Sequence, residues 1–433
     1  MRKTLLQSSS RQIVLLSALV VVVVSAAALQ ALTAQDPPSV GTPVTITGGD
    51  PVTWNDVDRL ISEQKFEAAS KAVEAIRVRA RGDGDASEWT RALVEETKLR
   101  MALHGYETAV RFLRTEKWPE DAVSQAVLEL YYANSLATYA RSYSWEIRQR
   151  ERVETSGELD LKKWDFEQIV EEADRAFLAV WSAREEWGSE SLGELSRYIH
   201  QNNFPPRIRG SLRDAVTYLW VELLADSSFW SPAESNRVFQ LDLAALIDGD
   251  AATSSELDLA DAAMHPILKI GALLDDLESW HGAGGRSEAA LEVRLERLRR
   301  LHAAFDTPED KLAIHRHLEE LQETFDRSLE WWSMGQAVLA EFIREETEPD
   351  ALVRARAAAL AGRDRHPQSI GGQRCSHIVA SIEAPSYSLA AMAVDGAGRR
   401  SFQITHRNFT KLHFRAWRYD LRRFVESSED YNM

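Results

Sequence analysis

Few side chains in this chain stand in patterns that could do chemistry. Its 433 residues include one cysteine, Cys375. A nucleophilic or thioester-forming thiol needs a base or an acyl-donor glutamine close by, and an electropositive setting. Cys375 is followed by Ser376-His377-Ile378, with no such glutamine in the next few residues, so a buried structural cysteine is expected. His315 and His317 lie two apart on a helical stretch and point to different faces, unlike an i, i+4 metal pair. Both are expected at the surface. Glu171-Glu172 with Asp174 invites a paired-carboxylate reading, yet in helices this acidic a solvated face is the expectation. Trp331 and Trp332 could form a binding platform. Neighbours on a helix diverge by about 100°, so one is expected in the core and the other at its boundary. Gly82 to Asp85 (GDGD) lacks the acidic spacing and distal Glu of a calcium loop and reads as a turn. Asn408-Phe409-Thr410 forms a glycosylation sequon. No H-E-x-x-H, G-x-S-x-G, Walker or G-x-G-x-x-G element occurs. No catalytic, cofactor-binding or metal-binding residue is assigned, and a non-enzymatic protein without cofactors is expected.

The elements that would position these residues follow from composition and period. Hydrophobic residues make up 44% and charged residues 27%, values of a globular chain long enough for two or three domains. A net charge of −16 argues against a nucleic-acid partner, because tracking phosphates needs clustered Lys and Arg. A single cysteine excludes an intramolecular disulfide framework and a multi-cysteine zinc site.

Residues 1–34 carry a basic start (Arg2, Lys3, Arg11), then the apolar run Ile13 to Leu29, then small residues at Ala31, Thr33 and Ala34. This reads as a secretory signal, and the run is also long enough for an uncleaved anchor that attaches the chain to a membrane. Either reading places the rest outside the cytoplasm, in the periplasm, cell envelope or medium. Residues 35–51, with Pro37, Pro38, Pro43, Gly48 and Gly49, form a linker.

From 52 to 366 nearly everything reads as helix. Thr53 and Asp56 mark an N-cap, and Val57, Leu60 and Ile61 follow at helical spacing. After a turn near Gln64, Ala69, Ala72, Val73 and Ile76 give a second helix with a narrow face. Lys65-Phe66-Glu67-Ala68-Ala69 and Gly105-Tyr106-Glu107-Thr108-Ala109 resemble the turn of tetratricopeptide-like hairpins at an offset of forty residues, so the fold class is mainly α and α-solenoid-like. Ser211 to Asp214 caps an apolar helix expected at the centre. Thr307, Pro308 and Asp310 open a helix whose apolar positions run from Ile314 through Phe325 and Leu329 to Trp332. Residues 367–376 form a junction. From 377 to 433 the pattern changes to short strands at His377–Ile382, Ser388–Val394, Arg400–Arg407 and Lys411–Tyr419.

Several stretches together resemble the N-terminal part of large exported bacterial α2-macroglobulin-like proteins, in which a helical region precedes the macroglobulin domains. Pro367 to Cys375 (PQSIGGQRC), Ile382-Glu383-Ala384-Pro385 with Leu389, Arg407-Asn408, Leu412 with Phe414-Arg415, and Tyr419-Asp420-Leu421 carry the resemblance. Trp164-Asp165 and Arg209 to Asp214 add to it. It implies a scaffold or docking module followed by part of a first macroglobulin β-sandwich, in a protein that traps proteases or defends the envelope. The bait segment and Cys-Gly-Glu-Gln thioester of that family do not occur here, so no site residue is carried over. A seven-strand sandwich needs on the order of 100 residues, so 377–433 is expected to supply only part of one, with an apolar face and edges left open. The implied partners are proteins, proteases or envelope components. A stand-alone tetratricopeptide-like adaptor, binding a peptide in its groove and adding its β-segment to a partner strand, is the alternative.

Overall fold

The computed structural model describes residues 51–415 apart from 154–159, 201, 250–256, 393–395, 397, 399 and 400. The expected signal or anchor at 1–34, nearly all of the linker, and the strand positions from 416 onward lie outside the described residues. No described helix is long and apolar enough to cross a membrane. The described chain is mainly helical, with a two-stranded antiparallel sheet, and divides into two compact units, one up to Thr324 and one from Phe325.

In the first unit, helices α1 (Trp54–Ser62), α2 (Phe66–Asp83), α3 (Ala86–Ala102), α4 (Tyr106–Thr115) and α5 (Ala122–Ser142) each pack on the one before. Their caps are local. Thr53 and Asp56 form a capping box, Asp85 accepts from Glu88 N, and Asp121 accepts from Ser124 N. The first three turns repeat one geometry. Gln64, Gly84 and His104, twenty residues apart, all have φ near +60 to +70°. In each, the next residue donates to a carbonyl five positions back: Lys65 to Leu60, Asp85 to Ala80, Gly105 to Arg100. This six-to-one bond satisfies a carbonyl left over at the helix end. The two segments forty residues apart thus follow the same turn geometry, which Gly84 also adopts midway between them. Val57, Ala69, Ala72, Val73 and Ile76 form the first core cluster, and Arg77, paired with Glu96 (3.1 Å) and Glu116 (2.6 Å), joins α2 to α3 and its neighbours.

The unit continues through α6 (Phe166–Ser182), which packs on α5, then α7 (Leu212–Ala225), α8 (Pro266–Ala283), α9 (Ser287–Ala304) and α10 (Pro308–Thr324). All of α7 except Glu222 and Ala225 is buried, which makes it the central helix, as its apolar sequence predicts. Thr307 and Asp310 open α10 as expected, but the helix stops at Thr324 instead of running on to Trp332. Asp326 accepts from Ser328 N at 2.8 Å, and this local turn competes with helical continuation.

The second unit packs α11 (Trp332–Arg344), α12 (Ala351–Arg365) and α13 (Ile370–Glu383) against one another, then adds β1 (Ser386–Ala391) and β2 (Phe402–Arg407). One expectation is overturned here: His377–Ile382 is helix, not strand, and the supposed junction at 367–376 contributes its first turns. Ser369 is the N-cap, accepting from Gly372 N. Cys375, Ile378, Val379 and Ile382 are the buried positions, spaced by three, four and seven, so the helical period outweighs the β-branched composition of the run. Close approach is built in: a Cβ on Gly371 would collide with the backbone of Met334, and one on Gly362 would meet the Cys375 sulfur. Strands form at Ser386–Ala391 and Phe402–Arg407, close to two of the expected runs. Lys411–Arg415 is described and has no strand.

A residue without a glycine's freedom pays for a left-handed conformation, by roughly 1 to 2 kcal/mol. Gln64 and His104 are both exposed. Gln64→Gly and His104→Gly are each expected to stabilise the first unit by about 1 kcal/mol or less, after allowing for the greater freedom of glycine when unfolded. Thermal melts of the two variants check this, and a lowered midpoint in both would count against the repeated turn.

Candidate functional site

The interior of the first unit brings together residue types that could be reactive, and their wiring shows what they do. Ser211, Asp214 and His281 are neighbours. The Ser211 hydroxyl donates to Asp214 Oδ2 at 2.7 Å, within the capping box that starts α7. Asp214 Oδ1 meets His281 Nε2 at 2.8 Å, and Arg286 Nε donates to His281 Nδ1 at 2.9 Å. Because a guanidinium only donates, Nδ1 accepts and Nε2 carries the proton given to Asp214. In an acyl-transfer triad the imidazole must take the serine proton. Here the serine faces the carboxylate and both imidazole nitrogens are engaged, so the three residues cap a helix and fasten α7 to α8.

Two other clusters follow the same logic. Arg209 is buried, with its guanidinium 3.5 Å from the centre of the Tyr218 ring, and donates to Glu292 (2.6 Å) and Glu296 (3.0 Å) on α9. Burial by itself would raise the Glu296 carboxyl, but Arg300, Arg209 and Arg299 together hold it well below the ordinary range. The cavity beside Arg209, lined also by Leu192, Asn202 and Phe204, has about 10 Å³, the size of one water. Lys269 of α8 donates to Asp174 of α6 at 2.6 Å, and Trp220 of α7 donates to the other oxygen of the same carboxylate at 2.6 Å. Among the described residues no group of three or more His, Cys, Asp and Glu is placed to hold a metal ion.

The residues singled out in sequence fall as follows. Glu171 pairs with Arg152 at the surface, as a solvated face predicts. Glu172 instead accepts from Tyr132 (2.8 Å), and Asp174 enters the network just described. His315 is buried and stacked on His302, with ring centres 5.3 Å apart, which corrects its expected surface position; His317 is half-buried near Asp248. Trp331 and Trp332 are both buried, so neither offers a platform: the chain is in a turn at Trp331, and the 100° divergence of a regular helix does not apply. Cys375 is buried as expected, though within α13 and not at the start of a β-domain. Its thiol lies 3.4 Å from the Ser333 carbonyl, and burial pushes it up to about 12, which disfavours the thiolate. Of Gly82 to Asp85, expected as a turn, Gly82 and Asp83 end α2, and only Gly84, left-handed, and Asp85, the cap of α3, form the turn.

What remains exposed is the hairpin. Its register pairs Tyr387 with His406, Leu389 with Ile404 and Ala391 with Phe402, which puts these six side chains on one face. Tyr387, Leu389 and Phe402 are more than half exposed. Phe409 meets Tyr387 (6.2 Å between ring centres) and Phe414 meets Phe402 (5.9 Å), so the chain after β2 borders the same apolar face. The other face carries Ser386, Ser388, Gln403 and Thr405. The hairpin is anchored to the end of α13. Arg407 donates to the Ser381 carbonyl at 2.9 Å, and the Asn408 amide to Ile382 at 2.8 Å and Ala384 at 3.3 Å, supplying donors that helix C-termini lack. The sequon asparagine is therefore a helix cap, and a glycan on its nitrogen would compete with that bond.

Sequence reasoning missed the roles of His281, Arg209 and Lys269, all distant in sequence from their partners, and of Arg286, five residues from His281. The one local signal was the Ser211–Asp214 box. Comparison with protein families, curated proteins and solved structures finds no match for this chain.

His302 makes the acid response testable. Burial, then the charges of Lys311 and His315, push its imidazole down to about 3 from an ordinary 6.5. Between those values the unfolded chain binds a proton there that the native chain does not, so stability falls as pH drops through that window. In His302→Gln, proton uptake on unfolding at pH 5 is expected to fall by about one. The pH dependence of denaturant midpoints reads this, and an unchanged dependence would show that His302 titrates normally.

Proposed function

We propose that this chain is a non-enzymatic, exported scaffold and docking region of an α2-macroglobulin-like envelope protein. In this reading the helical part is α-solenoid-like, and the β-segment that follows it engages protein partners. The observation that carries the docking role is the open apolar face of the hairpin, held on the end of a packed helical bundle by Arg407 and Asn408. A rigid mount and an uncovered apolar surface are what a recognition module requires, since ordering costs are met before the partner arrives. The α-solenoid reading is supported by the turn repeated at Gln64, Gly84 and His104 and by the sequential packing of α1 to α5. The envelope setting and the family role in trapping proteases come from the sequence resemblance and from residues 1–34. The same repeated turn favours the second reading, an adaptor that takes a peptide along its helical hairpins.

Two experiments test these readings. In its native bacterium, the chain is expected in the periplasmic or envelope fraction, and accumulation in the cytosol would refute export. The purified full chain is expected to raise the emission of a hydrophobic dye such as bis-ANS several-fold. The double variant Leu389→Glu, Phe402→Glu should lose more than half of that rise with helical content unchanged. A wild-type chain that leaves the dye dark does not present an open face, and the docking reading would then fall.

A further inference from the structure

We infer that the outer edge of β1 takes up an extended peptide strand whose apolar residues alternate with acidic ones. The inference rests on the docking reading above and names the partner's chemistry.

The hydrogen-bond phase of the hairpin identifies the edge. Met392 N donates to the carbonyl of its partner Ser401 at 3.2 Å, which makes this a mutually bonded pair. Counting back in twos, Ala390, Ser388 and Ser386 point their backbone groups at β2. Tyr387, Leu389 and Ala391 point theirs away, as a row of donors and acceptors along the open side of β1. All six residues of β1 are exposed, whereas β2 is partly covered at Ile404 and Arg407. Among the described residues β1 pairs only with β2, so its outer edge is open to a further strand.

The occupant follows from what that edge and its face lack. A strand added beside β1 satisfies the row of backbone groups and extends the sheet, so its alternate side chains lie beside Tyr387 and Leu389 on the apolar face. Those positions call for apolar residues. Charge sets the rest. From Ser386 to Arg415 the sequence carries one carboxylate, Asp395, against five cations, Arg399, Arg400, Arg407, Lys411 and Arg415, in a chain whose net charge is −16. Acidic residues at the partner's other positions are attracted to this segment, and basic ones are repelled. An anionic membrane would answer the charge and the apolar face but leaves the backbone row unpaired in hydrocarbon, which disfavours it. A strand answers all three.

The test uses the full chain and a fluorescein-labelled octapeptide of alternating Val and Glu, read by anisotropy. Saturable binding is expected, with at least tenfold weaker binding of a Val/Lys peptide and of a Val/Glu peptide N-methylated on alternate residues. Leu389→Pro removes one outward N–H and leaves the bonds to β2 in place, and should weaken binding at least tenfold. The double variant Lys411→Glu, Arg415→Glu brings the segment to neutrality and should remove the preference between the two peptides. If Leu389→Pro loses its dye response through misfolding, the charge variant and the N-methylated peptide decide the matter. Equal binding of the methylated peptide, binding only to phosphatidylcholine/phosphatidylserine vesicles, or self-association abolished by Leu389→Pro would each overturn the inference. A bright dye response with no peptide binding would sink this inference alone, and a dark wild type would sink the docking reading beneath it.

Discussion

A charge taken out of water must be paired, and much of the first unit is arranged around that constraint. Arg209, Arg213 and Arg297 are all at least 95% buried, and each meets carboxylates. Such pairs contribute little net stability compared with apolar packing, but losing one partner leaves an uncompensated charge and costs about 3 to 5 kcal/mol. Their effect is to specify position. Lys269 with Asp174, His281 with Asp214, and Arg209 with Glu292 and Glu296 allow α6, α7, α8 and α9 only those placements in which the pairs close. An interior of leucines alone would tolerate sliding.

The same constraint accounts for the hydrogen bonding of the reactive residue types in the interior. Catalytic groups need a vacant hydrogen-bonding position where substrate enters. Asp214 takes Ser211 on one oxygen and His281 on the other, and His281 is closed off by Arg286. The carboxylate of Asp174 is shared between Lys269 and Trp220. Both oxygens of Asp214 and of Asp174 are thus engaged, and the space beside Arg209 is no bigger than a water.

The second unit relies on a different device. Gly362, Gly371 and Cys375 let α11, α12 and α13 approach closely, with the Ser333 hydroxyl donating to the Gly362 carbonyl (2.9 Å) at the contact and Arg374 clamping Glu341 at its side. The small residues of Ser369 to Cys375 thus serve helix packing, not a turn into a sheet. On this base the hairpin stands with Tyr387, Leu389 and Phe402 exposed on one face, held by Arg407 and Asn408.

Local features were legible in the sequence because their causes are local. The caps at Thr53, Ser211 and Thr307 and the turn at Gly84 and Asp85 all involve groups within a few residues of one another, where residue type decides geometry. The burial of Cys375 was legible too, from its lack of reactive neighbours. Tertiary structure alone decided the rest. Whether His377 to Ile382 is strand or helix depended on whether Cys375, Ile378, Val379 and Ile382 had other helices to pack against, since β-branched runs are at home in either state. His315 left the surface because the ring of His302 lies beside it. His281 and Arg209 found partners more than sixty residues away, and no spacing rule reaches that far, because folding sets such neighbours and sequence separation does not.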